Sequence, residues 1–465
     1  MRNYYVLLAF LIILFSCEKQ EVIEDKFLEM SLKDSVFVRR KSLFDRVSYD
    51  RYNYLGSGYD VTGDYANANS TAGQVIDIEK FKKDYSTRLL VEKSLSQSYV
   101  EEYGENAMEY SRKISNKVGL SGSFFKGLLT ASFSYSTTTN NKFDARYIYG
   151  SYDFIIKQKR LKLNVPVSVL VNYLTDDFKQ DLYIFNAEEI VSLYGTHVLV
   201  DIYIGAKMDI KFQSETTNQS REYASRVGVK VGVKSVFDAE VSSDLDLNDS
   251  KSNFNKKLSY RTRGGDPSIG LVGQINLDRE SPRLNLSNWQ NSVTPENSVL
   301  VDFGSRGLVK IYDLIPDLLK KQQVKQYVDN YLNKNQIEVE YSNPLGLKNG
   351  DFVRNRNTGE VFFIFEGTLR YIESPDTLFG LFNMSESVIR NVEPRSLTGM
   401  LRGKNLSPDN DLRQDVETWK IYLREGRYLR HILNKFVYDK YRFNDSAIRR
   451  IYGTSGYQIG NPIRE

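Results

Sequence analysis

Two histidines and one cysteine are all that the 465 residues offer to imidazole or thiol chemistry: His197, His431 and Cys17. A zinc centre takes three or four nitrogen or sulfur ligands, and this chain cannot supply a histidine-rich one. No metal and no cofactor is expected. Carboxylates are plentiful, but no pair is marked by its spacing, and no nucleophile stands beside a histidine. The glycines in Asn53-Tyr54-Leu55-Gly56-Ser57-Gly58-Tyr59-Asp60 would need a helix after them to cradle phosphate, and Ala66 to Gly73 is small and polar instead. An enzyme is therefore not expected. A formal net charge of +4 is too mild to imply nucleic acid.

His197 lies in Leu193-Tyr194-Gly195-Thr196-His197, and its surroundings explain it without chemistry. Ala187 to Val191 has helical periodicity, Gly195 suits a helix stop, and Val198 to about Phe212 reads as a strand. The expected role is a buried histidine at a helix–strand junction. Elsewhere, Val75-Ile76-Asp77-Ile78 reads as a short strand, Tyr147 to Leu163 as a long one, and 166–194 as helices. Leu258 to Arg263 is strand-like and stops at Gly264-Gly265-Asp266-Pro267, a strong breaker. Leu314 to Leu332 is amphipathic, with Leu314, Leu318, Val324 and Val328 on one side. Aromatics make up 13% of the chain, which suits β-rich surfaces where a ring is buried and its hydroxyl stays wet.

Two polar stretches, 94–146 and 214–256, separate these elements. In the second, apolar residues take most odd positions from Val227 to Leu247, Val227, Val229, Val231, Val233, Phe237 and Val241 among them, with Ser235, Ser243 and the even Val236 as exceptions. Lys230, Lys234, Asp238, Glu240, Asp244 and Asp246 take the even ones. A period of two over this span exceeds an ordinary strand of about 5–6 residues. A membrane-spanning strand needs only about 9–11 residues with one apolar face. The first stretch repeats the habit: Leu129, Ala131, Phe133 and Tyr135 alternate with Thr130, Ser132, Ser134 and Ser136. The other reading of both is a half-buried strand in a soluble antiparallel sheet.

The opening Gly-x-Gly-Tyr-Asp run, the Tyr-Gly-Thr-His stretch, Gly264-Gly265-x-Pro267 and the amphipathic segment before residue 340 occur in the order of the membrane attack complex/perforin (MACPF) family, which the chain resembles over about 51–340. The resemblance implies an α+β fold: a bent antiparallel four-stranded sheet, like that of cholesterol-dependent cytolysins, with two helical insertable clusters. It implies that Tyr194, Gly195, Thr196 and His197 are structural, and that Gly264 and Gly265 form a hinge at the end of the second insertion. It further implies that the two stretches unfurl into β-hairpins within a homo-oligomeric ring. Ring closure is needed because open strand edges leave backbone groups unsatisfied in lipid. The function implied is a pore-forming protein, similar to antibacterial toxins used against related bacteria. The rival is a non-lytic surface adhesin or glycan-binding lipoprotein.

The two ends add a leader and a recognition module. Tyr4 to Phe15 is apolar but too short to span a bilayer. With Ser16-Cys17 it resembles a bacterial lipoprotein signal, 1–16, cleaved before an acylated Cys17, with 17–50 as tether and lead-in. An outer-membrane location, surface-exposed or released, follows. Beyond 340, Val361 to Val392 recurs as Ile421 to Ile451: Glu366 and Glu425, and Ser387 and Ser446, are each 59 apart. This predicts a tandem β-hairpin-plus-helix module, β-rich α+β, over 341–465. From 401 onward it carries thirteen Lys and Arg against eight Asp and Glu. Arg370, Tyr371, Tyr422, Arg427, Tyr428 and Arg430 are the candidates for binding target-membrane lipid or a surface glycan or protein receptor. The alternative for them is a solvated basic face.

Overall fold

The computed structural model describes residue 37 and residues 54–133, 141–238 and 247–464. The leader, Cys17, Tyr135 and Val241 lie outside the described residues.

Four long strands dominate the chain up to residue 340: β1 (Leu89–Gly104), β2 (Tyr147–Leu163), β3 (Asp201–Thr216) and β4 (Asn253–Arg263). They pair antiparallel in sequence order, and Val272–Asn276 extends the sheet beyond β4 while Val299–Phe303 pairs with the start of β3. Register shifts interrupt the β1–β2, β2–β3 and β3–β4 ladders, the irregularity by which long strands bend. This is the expected α+β architecture with four long antiparallel strands.

Strand β1 falls partly in a stretch whose polarity concealed it. Among the described residues it is an edge strand, with a strand partner on one flank only, and Val91, Leu95 and Tyr99 are exposed. The expected strand at Val75–Ile78 is displaced. The strand is Thr71–Gln74, and Asp77 caps a helix at Ile78–Asp84 by accepting from the Lys80 amide at 2.9 Å. The single strand expected from Val198 is two: His197–Leu199 belongs to a small four-stranded sheet and β3 to the large one. The closing helix, Leu318–Lys334, buries Val324 and Val328, but Leu318 is exposed because Asp317 caps the helix there.

After 340 the chain forms two similar sheets. One is ordered Thr368–Ile372, Val361–Phe365, Phe352–Asn355, Arg390–Val392; the other begins Arg449–Ile451, Asn410–Asp415, Ile421–Glu425, Tyr428–His431. Each hairpin is followed by a short helix, Pro375–Leu381 or Lys435–Lys440. Phe352, Phe363, Phe365, Leu412 and Leu423 share one core across the copies. The copies therefore pack as a pair rather than as separate beads.

Candidate functional site

The first insertion, between β1 and β2, contains α1 (Ala107–Lys117) and α2 (Gly127–Phe133). The second, between β3 and β4, contains α3 (Arg221–Phe237). They cover opposite faces of the sheet. On one face Tyr152, Phe154, Ala206, Met208, Ile210 and Phe212 form an apolar bed with Val229, Val233 and Val236 of α3. The residues between them along the strands point to the other face, which carries charge.

Helix α3 holds the segment whose sequence alternates as a strand. Val227, Val229 and Val233 are buried, Val231 is half-buried, and Phe237 meets Tyr260 edge-on at 5.9 Å. Gly228 and Gly232 bring it close to the sheet: a Cβ at Gly228 would overlap the Phe212 ring, and one at Gly232 would lie 2.9 Å from Leu277 Cδ1. Lys230 is buried, pairs with Glu101, and lies 5.3 Å from the Tyr152 ring centroid. Helix α2 likewise holds the alternating residues of the first insertion, burying Leu129 and Phe133 and leaving Ala131 exposed.

The charged face lies beneath α1 and α2. Lys207 Nζ is 2.9 Å from both Asp153 and Asp209, Lys211 Nζ is 2.7 Å from Asp153, and Arg263 Nε is 2.8 Å from Asp209. Burial alone would raise the Asp209 pKa; Arg263, Lys207 and Lys211 together hold it well below the carboxylate range. A cavity of about 410 Å³ separates this row from Ile114, Lys117 and Leu128 of the insertion. The first insertion thus rests on an ionic, incompletely filled surface. The i, i+2 spacing of Lys207, Asp209 and Lys211 was the available sequence signal, and it was not singled out.

The base of α3 is held by one side chain that sequence reasoning missed. Arg221 is half-buried and, among the described residues, donates to main-chain carbonyls: Nε to Glu105 at 3.0 Å, Nη1 to Thr398 at 3.3 Å, and Nη2 to Ala145 at 2.7 Å and to Arg146 and Tyr147 at 3.2 Å. Burial pushes its pKa down to about 10. It joins the base of both insertions to the C-terminal module. An arginine beside Glu222 on a polar helix gives no sequence signal for this.

Tyr194, Gly195, Thr196 and His197 act as framework. The Tyr194 hydroxyl donates to Asp181 at 2.7 Å, and the Thr196 amide donates to the Tyr59 carbonyl at 3.0 Å. Gly195 has φ +73°, and a Cβ there would sit 2.6 Å from the Tyr59 carbonyl carbon. The signature and the opening glycine run are therefore in direct contact. His197 is buried, with Nδ1 3.0 Å from Thr196 Oγ1, and burial drives its pKa down to about 3.

The glycine pair departs from expectation in place. Gly264 and Gly265, at φ +72° and +75°, follow the end of β4, whereas the second insertion meets the other end of that strand, at Asn253. The pair does not terminate the insertion. Trp289 Nε1 donates to the Gly264 carbonyl at 2.9 Å, and a Cβ at Gly264 would lie 2.7 Å from the Gly205 carbonyl.

The proposed target-binding residues separate into three groups. Arg370 and Arg430 are held within the module. Arg430 forks onto Glu366 at 2.6 and 2.8 Å and lies 3.5 Å from Glu425, Arg370 pairs with Glu425, and both stack over Phe365. The 59-residue repeat of Glu366 and Glu425 marks this inter-copy lock. Tyr422 is buried and Tyr371 half-buried. Arg427 and Tyr428 are exposed. The reading of Arg370 and Arg430 as free forks is thereby corrected: their guanidiniums already have carboxylates. Among the described residues no cluster of His, Cys, Asp and Glu could hold a metal ion, and no helix is long and apolar enough to cross a membrane.

Comparison with known proteins follows the same lines. No curated protein sequence matches the chain. A putative cell invasion protein with a MAC/Perforin domain from Bacteroides thetaiotaomicron is 15% identical, with 90% of this chain and 96% of that one covered and a TM-score of 0.49. GNIP1Aa from Chromobacterium piscinae is 19% identical over 69% of this chain, which spans 64% of that protein's length, with a TM-score of 0.48. The family model for the MAC/Perforin domain matches residues 48–340, well over half of the sequence. The four long strands, their two helical insertions and the framework motifs all fall inside that match, and the chain belongs to the MAC/Perforin family, a pore-forming family by fold.

Proposed function

We propose that the protein is a pore former. It binds a target cell surface through its C-terminal module and assembles into a ring. Each subunit then converts its two insertions into β-hairpins that build a transmembrane barrel. One observation carries the reading: the segment Val227–Phe237 has the period-two pattern of a strand and is folded as a helix, directly between two long neighbouring strands. The 17 residues of α3 would extend from about 25 Å as a helix to about 55 Å as a strand. Val229 and Val233, which now pack on the sheet, would then share one face with Val227, Val231 and Phe237, and that face would meet lipid. Leu129, Ala131, Phe133, Val227, Val229, Val231, Val233 and Phe237 are the described inserting residues in this proposal, and Tyr135 and Val241 extend them. Gly264 and Gly265 flex the far end of β4 as the sheet opens.

A lipoprotein anchor at Cys17, an outer-membrane or released location and an antibacterial role against related bacteria complete the proposal. They rest on the leader sequence and on family resemblance. Dye release from vesicles of target outer-membrane lipid tests it. Gly150→Cys with Val229→Cys, in a Cys17→Ser background, places two thiols where a Cβ at Gly150 lies 2.5 Å from Val229 Cγ2. The oxidised protein should not release dye, and reduction should restore release. Equal release in both states refutes hairpin insertion. Binding without release by the reduced protein favours the adhesin.

A further inference from the structure

The duplication inside the C-terminal module lets its two copies be compared position by position. The turn leaving the first strand has one geometry in both. Asn355 and Asp415 are buried and accept from the amides of Asn357 and Glu417 at 3.0 and 3.1 Å. Their own amides donate to Glu360 and Lys420 carbonyls at 2.9 and 3.0 Å. Their carbonyls accept from Gly359 and Trp419, both at 2.8 Å. The next strand is aligned alike, Asn355 opposite Val392 and Asp415 opposite Ile451.

The side chains on this frame differ in one direction. Where the first copy has Gly359, Glu360, Asn391 and Glu393, the second has Trp419, Lys420, Arg450 and Tyr452. Gly359 sits at φ +78°, which costs a glycine little; Trp419 takes φ +58° at the same place, which a bulky L residue rarely does. The strained tryptophan gains no packing in return, since it is 72% exposed and Tyr452 is 83% exposed. The Asp415 carboxylate also accepts from the Gly453 amide at 3.1 Å, so the loop carrying Tyr452 and the turn carrying Trp419 are tied to one group. Lys420 and Arg450 are exposed and show no ion pair among the described residues. The first copy's tip is engaged instead: Glu360 accepts from Gln219 at 3.3 Å, and Glu393 pairs with Arg356.

Indole and phenol rings with an apolar body and a polar handle settle at the headgroup layer of a bilayer, and lysine or arginine near an anionic leaflet adds roughly fivefold each to binding. We propose that Trp419, Lys420, Arg450 and Tyr452 form a docking tip for an anionic lipid surface, with the Trp419 ring at headgroup depth. This deepens the reading of the C-terminal module as the target-finding part and rests on it. Neutral surfaces lack the charge that the two free cations select.

The chain has two tryptophans, and Trp289 is 1% exposed, so the part of any emission change and bromine quenching that Trp419→Gly removes reports Trp419. The full chain is mixed with phosphatidylcholine vesicles, with and without a minority of phosphatidylglycerol, and with brominated acyl chains. Binding, a blue shift and bromine quenching are expected on the anionic vesicles only. Trp419→Gly, the residue the first copy carries at this φ, should weaken sedimentation with vesicles at least tenfold while the thermal unfolding midpoint holds or rises. Lys420→Glu with Arg450→Asn should remove the anionic preference. Sedimentation of Trp419→Gly as tight as wild type, or binding only to vesicles that carry a glycolipid, overturns the proposal. Dye release in the same samples separates the two claims. Quenching without release, repeated on vesicles of target outer-membrane lipid, leaves the docking tip standing and refutes the pore; release that ignores Trp419 does the reverse.

Discussion

Replacing Arg221 by glutamine tests whether the second insertion is held as a separable unit. The guanidinium serves five carbonyls on three segments, Glu105, Ala145 to Tyr147, and Thr398. A net hydrogen bond from a charged donor contributes about 1.5–3 kcal/mol, and glutamine can reproduce about one of them. Against this, the variant no longer holds a half-buried cation, whose desolvation already pushes its pKa down to about 10. The balance is a loss of about 2–3 kcal/mol in the stored state, or a rise of ~30- to 150-fold in the opening of α3. Hydrogen exchange of the α3 amides in the free protein reads this directly, and the lag before dye release should shorten. Exchange unchanged in α3 would show that Arg221 holds nothing. An equal rise over the whole chain would mean ordinary global destabilisation.

Two further outcomes are expected. His197 is neutral in the folded protein down to about pH 3, whereas its unfolded form takes a proton below about 6.5. Acid therefore favours the unfolded state across that window, at up to about 1.4 kcal/mol per pH unit, and His197→Gln should flatten the dependence of urea midpoint on pH; parallel curves would contradict this. Arg370→Ala leaves Glu425 with one cation instead of two and should lower stability by ~2–4 kcal/mol, with vesicle binding unchanged under conditions where the chain is folded. Loss of binding in the folded variant would return Arg370 to the target site.

Much of the organisation is written locally. The alternation from Val227 onward, the Tyr194–His197 junction and the 59-residue repeat depend on side-chain type and spacing, which need no tertiary information. Strand β1 was hard to read because only Leu89 and Gly104 of its 16 residues are buried, so its sequence carries no clean alternation of apolar and polar faces. Arg370 and Arg430 looked free because a salt bridge between repeat copies joins residues 55 and 64 positions apart, and no local pattern encodes that distance. Arg221 was invisible for the same reason, since its partners are carbonyls and every residue has one.

The decisive case is α3. By itself the sequence determines that one side of Val227–Phe237 is apolar when extended, because β-strand side chains alternate. It does not determine that the segment rests as a helix, for which valine and glycine are poor formers. In the folded chain Gly228 and Gly232 let the helix sit close against Phe212 and Leu277, and buried valines fill the bed on the sheet. The local preference and the tertiary contacts favour different conformations of the same residues, and packing against the sheet decides between them.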